Sequence, residues 1–220
     1  MTDRERALKG TAAAHRTLEE RLAGLTDERA RQPSLLPDWT VGHVLTHIAR
    51  NADGLRNMLE GAERGEVAEM YPALSYATGL ERRAADIVAG AGRTAAALVD
   101  DVRISAARLE MAFDSLSDDA WQGQGIAAFG PVGVVDIPQR RWTEVEVHHA
   151  DLGLGYSWAG WPAEFVRVEI QRLTMLWNSR RSMGLTGLPA EALAADEHRR
   201  AAWLLGRADI DGLEPAGLMG

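Results

Sequence analysis

The chain has 220 residues, 46% hydrophobic and 25% charged, which is apolar material enough for one globular domain or a domain with a small appendage. A net charge of −8, with no basic stripe carrying interleaved aromatics, argues against a nucleic-acid surface. There is no cysteine and a single lysine, Lys9, so disulfides, zinc–thiolate sites and cysteine nucleophiles are excluded and lysine Schiff-base chemistry nearly so; any thiol chemistry needs a thiol brought in by a small molecule.

The opening Met1–Arg6 is charged in both signs with no apolar stretch behind it, and no apolar run approaches a membrane span. The expectation is a cytoplasmic protein, a monomer or small homo-oligomer. From Asp3 to about Leu25, Ala7, Thr11, Ala14, Leu18, Leu22 and Leu25 recur at helical intervals. His15 lies in this helix as a structural residue. Pro33 and Pro37 mark a loop, and Thr40 or Asp38 can cap a helix that runs to Gly61 with Val44, Leu45, Ile48, Ala52 and Leu55 on its apolar face. The stretch from Glu63 to Gly79 is irregular, either a tether or a functional loop.

A long helix is expected from about Leu80 to Phe113, with Ile87, Ala91, Ala95, Leu98, Val102, Ala106, Leu109 and Phe113 in helical period. Arg83, near its start, faces solvent or an anionic ligand. Between Ser115 and Pro138 the glycines suggest a loop holding a short extended pair. Asp136-Ile137-Pro138 then opens a helix, with an N-cap residue and a proline in the first turn, that stops near Gly153. The first 155 residues therefore read as a four-helix bundle, and the fold class as all-α. Residues 156–220 read as a small extension packing on or near the site, with helices over about 162–180 and 193–206. No phosphate loop and no nucleophile elbow is present.

Within the fourth helix, Glu144 and His148 share a face at i, i+4 spacing, so a carboxylate and an imidazole can reach one metal ion. His43 and His47 repeat the spacing upstream; either alone can be a buried histidine satisfied by a hydrogen bond. His47 lies one turn deeper, so the expected set is His47, Glu144 and His148 between two helices. Three ligands leave a fourth position open, as a catalytic zinc requires, and iron, nickel or manganese would accept the same set. Such a metal can polarise a carbonyl, activate a water or hold a thiolate, and spacing does not choose among these. Glu146 and His149 point elsewhere on the helix, as surface or packing residues.

The segment Leu36–Asp53, which contains Asp38-Trp39-Thr40-Val41-Gly42-His43 and His47, together with Arg141, Glu144, His148 and Asp151-Leu152-Gly153, resembles the mycothiol-dependent maleylpyruvate isomerase family of DinB-like metal-binding bundles. The likeness extends through Gly65-Glu66, Met70-Tyr71 and Arg83. It implies zinc on His47, Glu144 and His148, and mycothiol as the thiol, with Tyr71, Arg83 and Arg141 as candidate cofactor contacts. The ending Gly206-Arg207-Ala208-Asp209-Ile210-Asp211-Gly212 is similar to the family's, which implies that Arg207 contacts an anionic substrate or the thiol; locally it can also be a helix-end arginine. Asp151 either orients a ligand histidine or ends the helix. The implied activity is cis–trans isomerisation of maleylpyruvate or a similar activated alkene, with a mycothiol S-transferase and a non-catalytic metal-binding bundle as the alternatives. One departure stands out: the family's archetype has strands before the Gly-Arg ending, whereas Ser182–Ala195 shows no alternating pattern, so the extension reads as shortened and mostly helical.

Overall fold

The computed structural model describes residues 1–73, 78–180 and 187–218. Parts of two stretches discussed above, 74–77 and 182–186, lie outside the described residues.

Side-chain caps set where most helices begin. In α1 (Asp3–Leu22) the Thr2 hydroxyl accepts the Glu5 amide and the Glu5 carboxylate accepts the Thr2 amide. Thr26 caps α2 (Asp27–Arg31), a short helix the periodicity does not announce. Thr40 caps α3 (Val41–Glu63), and the His43 Nδ1 accepts the Thr40 amide in return. Thr78 and Glu81 box the start of α4 (Gly79–Ala91), Thr94 caps α5 (Ala95–Ser115) and Ser117 caps α6 (Asp118–Trp121). α7 (Ile137–Asp151) begins otherwise. A 3-10 turn, Val134–Asp136, leads into it, so Asp136 is already helical and its side chain makes no cap bond, contrary to expectation.

The single helix expected over 80–113 is two helices, α4 and α5. The apolar period passes through the break without a fault: the eight residues named above are all buried. What divides it is local chemistry. The Thr94 hydroxyl accepts the Ala97 amide and the Asp27 carboxylate accepts the Ala95 amide at 2.6 Å, satisfying donors of a new helix start.

Residues Met1–Leu154 form one compact unit. In it α3 packs on α5 and α7, and α1 packs on α7 and α5, closing a four-helix ring. α4 lies against α3, where a Cβ on Gly42 would stand 2.2 Å from the Ala91 carbonyl oxygen. The C-terminal half of α3 carries an apolar cluster with Leu55, Met58, Leu59, Leu109, Phe113 and Trp121. Against it lies a small sheet of β1 (Ala68–Glu69), β2 (Gln124–Ala127) and β3 (Gly130–Gly133), in the order β1-β2-β3. β1 and β2 are parallel, and β2 and β3 form the expected short extended pair, antiparallel, with Ala127 opposite Gly130.

Residues Gly155–Gly220 form a second compact unit. It contains α8 (Ala163–Ser179), α9 (Ala190–Ala194) and α10 (Glu197–Leu204), with Trp161, Phe165, Trp177 and Trp203 buried among them. The last expected helix is thus also divided, where Asp196 accepts the Arg199 amide to start α10. No strand occurs among this unit's described residues. The fold is all-α, a four-helix bundle with a mostly helical extension, and the sheet is a minor addition to it.

Candidate metal centre

α3 contributes His47 and α7 contributes Glu144 and His148, one turn apart. A ligand atom from each lies within 4.8 Å of the other two. The Glu144 Oε1 is 2.5 Å from His47 Nε2 and 3.5 Å from His148 Nε2, and the two imidazoles stand edge to face with centroids 4.4 Å apart. His47 is buried, while Glu144 and His148 keep partial exposure, so the cluster is enclosed on one side and reachable on the other.

Charge states follow from the surroundings. Burial pushes His47 down to about 4, against the pull of Glu144, so the imidazole is neutral near neutral pH. Burial pushes Glu144 up, but His47, His148 and Arg141 outweigh it and hold the carboxyl well below the usual range. Two imidazoles and a carboxylate form a donor set suited to a divalent ion.

The outer contacts bear on that fit. The His148 Nδ1 lies 2.8 Å from Asp151 Oδ2, which turns its Nε2 lone pair toward the cluster. Asp151 is 2% exposed, and its backbone carbonyl accepts the Leu35 amide at 2.8 Å, joining the loop before α3 to the end of α7. His47 is held differently. Arg83 Nη2 donates to its Nδ1 at 2.6 Å, and since a guanidinium only donates, the ring proton sits on Nε2 facing Glu144. Ligation through Nε2 moves that proton to Nδ1 and requires Arg83 to turn away. With that one adjustment the three residues fit a divalent metal.

Arg141, a candidate cofactor contact by resemblance, is fully buried beneath the cluster. Its Nε–H donates to His15 Nε2 at 3.0 Å, and its Nη1 donates to the Ile48 carbonyl and to Asn51 Oδ1, both at 2.9 Å. The His15 Nδ1–H in turn donates to Glu110 at 2.6 Å. One polar chain therefore ties α7, α1, α3 and α5 together just behind the ligands. Arg141 Nη2 has no hydrogen-bond partner among the described residues.

Tyr71 is half-buried, with Arg83 5.6 Å above its ring; burial lifts its phenol to about 12, so it stays a neutral donor. His43, the rejected neighbour, is committed to the α3 capping box. Glu146 and His149 are buried packing residues, and Glu146 accepts the Trp142 indole N–H. Arg207 belongs to the second unit. It follows α10 at Gly206, its amide donates to the Ala202 carbonyl at 2.7 Å, and its Nη1 donates to the Leu205 carbonyl at 3.1 Å, a helix-end arrangement.

Two neighbours of the cluster escape sequence reasoning. Trp39 presents its ring edge-on to His47 at 5.6 Å, carried by a turn in which Asp38 takes a positive φ of 62°. The Pro-Asp-Trp run was the available signal. Arg82 lines a cleft beside Arg83 and Tyr71; only the adjacency to Arg83 could have pointed to it.

Fold and site together define a four-helix bundle with a His–Glu–His cluster of the kind that holds a divalent metal. Residues 11–153 match the family model described as the mycothiol maleylpyruvate isomerase N-terminal domain, and the chain belongs to that family. Two solved structures are similar over 94% of this chain and 90% of theirs, each with a TM-score of 0.80 and 24% identity. They are crystal structures of the mycothiol-dependent maleylpyruvate isomerase and of a histidine-to-alanine mutant of it. The chain is thus homologous to an enzyme. No curated protein matches it.

Proposed function

We propose that this chain is a zinc-dependent enzyme that uses mycothiol to isomerise maleylpyruvate, or a similar activated cis-alkene, by reversible thiol addition. The observation that carries the reading is the meeting of His47, Glu144 and His148 within 4.8 Å on the family's own scaffold. A bound zinc would supply one thing, the stabilisation of the thiol as a thiolate nucleophile. The chain's residues do the rest. His47, Glu144 and His148 would hold the ion, and a single carboxylate among them would leave it electrophilic. Asp151 fixes the His148 ring, and the buried chain through Arg141 keeps α7 registered against α3. Tyr71 offers a neutral phenol, Trp39 an apolar wall and Arg83 a positive charge beside the ion. The absence of cysteine fits a nucleophile delivered from outside.

The test is mass spectrometry and product analysis of the metal-loaded protein with mycothiol and maleylpyruvate. Unchanged thiol and an accumulating trans product are expected; a stable adduct would make the protein a thiol transferase instead. By the family resemblance, Arg207 contacts the anionic substrate or the thiol. Arg207→Ala should then lower kcat/KM roughly ten- to a hundredfold, the weight of a charge-assisted hydrogen bond, with zinc content unchanged. Wild-type kinetics would return Arg207 to a helix-end role.

A further inference from the structure

Beside the metal cluster, α3, the Met70–Pro72 segment and α4 enclose a cleft of about 140 Å³. A cavity needs only about 10–15 Å³ of such space for one water, so this one has room for a small organic molecule. Gly54 keeps it shaped: a Cβ there would stand 2.8 Å from both Met70 and Tyr71 side-chain carbons.

The charges in its wall are unevenly matched. Arg50 is neutralised, with Asp53 at 3.0 Å and Asp101 at 2.6 Å. Arg82 donates to the Pro72 carbonyl and meets Asp86 only at 3.8 Å. Arg83 has no carboxylate partner among the described residues; it rests on the His47 ring nitrogen and over Tyr71. Behind the wall, and outside the cleft's lining, Arg141 is a fully buried cation whose Nη2 has no hydrogen-bond partner among the described residues. In the cleft wall, then, Arg83 carries a charge that no carboxylate among the described residues offsets, and Arg82 one that Asp86 offsets only at 3.8 Å. An anion in the cleft would offset the charges of Arg82 and Arg83, and planar guanidinia suit a carboxylate.

We propose that this cleft is the seat for a substrate carboxylate, gripped by Arg82 and Arg83 with the Tyr71 phenol as a further donor. Arg83 stands at the His47 end of the cleft and would be freed from that ring once His47 ligates through Nε2, so a carboxylate held there brings the adjoining carbons of the substrate to the metal side of the cleft. The inference rests on the functional reading above and deepens it by assigning the carboxylate to the bundle's own residues.

Isothermal titration of the full, metal-loaded chain with maleate, and with its neutral diamide, tests it. Maleate should bind and the diamide should not compete. Arg82→Gln and Arg83→Gln should each weaken maleate at least tenfold, and Arg83→Lys should recover part of the loss. Arg103→Gln, on the far surface pair with Asp100, is the control. Circular dichroism verifies that each variant is folded, and the Lys variant keeps the test sound if Arg83→Gln is not. Wild-type affinity in both Gln variants, or equal binding of the diamide, would overturn the seat. So would binding lost on metal removal or in Arg207→Ala but kept in the cleft variants. Intact maleate binding without isomerase activity would defeat the functional reading and leave the seat standing.

Discussion

Asp151 decides which nitrogen His148 can offer. With Nδ1 held against Oδ2 at 2.8 Å, the lone pair on Nε2 is the one that faces Glu144. Asp151→Ala should therefore weaken metal binding ten- to a hundredfold, as loss of a carboxylate behind a ligating histidine typically does. His47→Ala, Glu144→Ala and His148→Ala should each abolish retained zinc, while Glu146→Ala and His149→Ala keep it; metal analysis after dialysis separates the groups. Zinc lost from His43→Ala but kept by His47→Ala would reverse the choice of histidine. This much of the site was legible because i, i+4 and i, i+3 spacing on one helix is geometry written in the chain itself. Trp39 and Arg82 were not, since what makes them neighbours of the cluster is the packing of α3, α4 and a loop. His149 supports a second prediction. Burial, then the charge of Arg21, pushes its imidazole down to about 4, against about 6.5 in an unfolded chain. Between those values the unfolded chain takes up a proton that the folded one refuses, so stability is complete above about pH 6.5 and falls toward pH 4, by up to roughly 3 kcal/mol from this residue. Melting temperatures at pH 5 and 7.5 should differ less in His149→Asn than in the parent chain; equal differences would mean that His149 does not titrate with folding.

At the scale of the element, the helices were read from their apolar period and their ends from local chemistry, and the two differ in how well they show. Ile87 through Phe113 keep one buried face across the α4–α5 boundary, so the period offers no sign of the break. The break is made by Thr94 and by Asp27, a residue from a distant short helix whose carboxylate accepts the Ala95 amide. A partner that far away in the chain cannot be found by reading a window. Close packing is similarly hidden in plain residues. Gly42 sits in the first turn of the helix that carries His47, and a methyl there would meet the Ala91 carbonyl at 2.2 Å, where only backbone can give way. Gly42→Ala should cost about 1–3 kcal/mol, in the range of overpacked cores, and lower the melting temperature by several degrees. Because the strain falls one turn before His47, zinc affinity should fall with it. A stable variant with normal zinc affinity would show that α4 shifts freely on α3.

For the whole molecule the question is whether a bound metal would hold the bundle together or only sit in it. The ligands come from α3 and α7, so an ion that binds the folded chain and not the unfolded one must stabilise that pairing. Yet α3 and α7 are joined without it. Arg141 reaches the Ile48 carbonyl and Asn51 on one side and His15 on the other, and His15 reaches Glu110, so one buried chain spans all four helices of the ring. Farther along α3, Leu59, Phe113 and Trp121 pack in a cluster that contains no ligand residue. This differs from a zinc finger, which has too little core to fold without its ion. Zinc at a hundred times its dissociation constant should add about 2.7 kcal/mol. At roughly 2–4 °C per kcal/mol for a chain of this size, chelation should lower the melting temperature by roughly 5–10 °C. Far-UV circular dichroism at 25 °C should not change, because the helices keep their buried faces and their caps. Arg141→Met should make the chelated protein more sensitive, since the ligand helices then lose the buried tie from Arg141 to the Ile48 carbonyl and Asn51 and lean on the His47–Glu144 contact. Helical signal lost on chelation of the unmutated chain would contradict this and make the His47–Glu144–His148 cluster a structural clamp, with its open side serving no reaction.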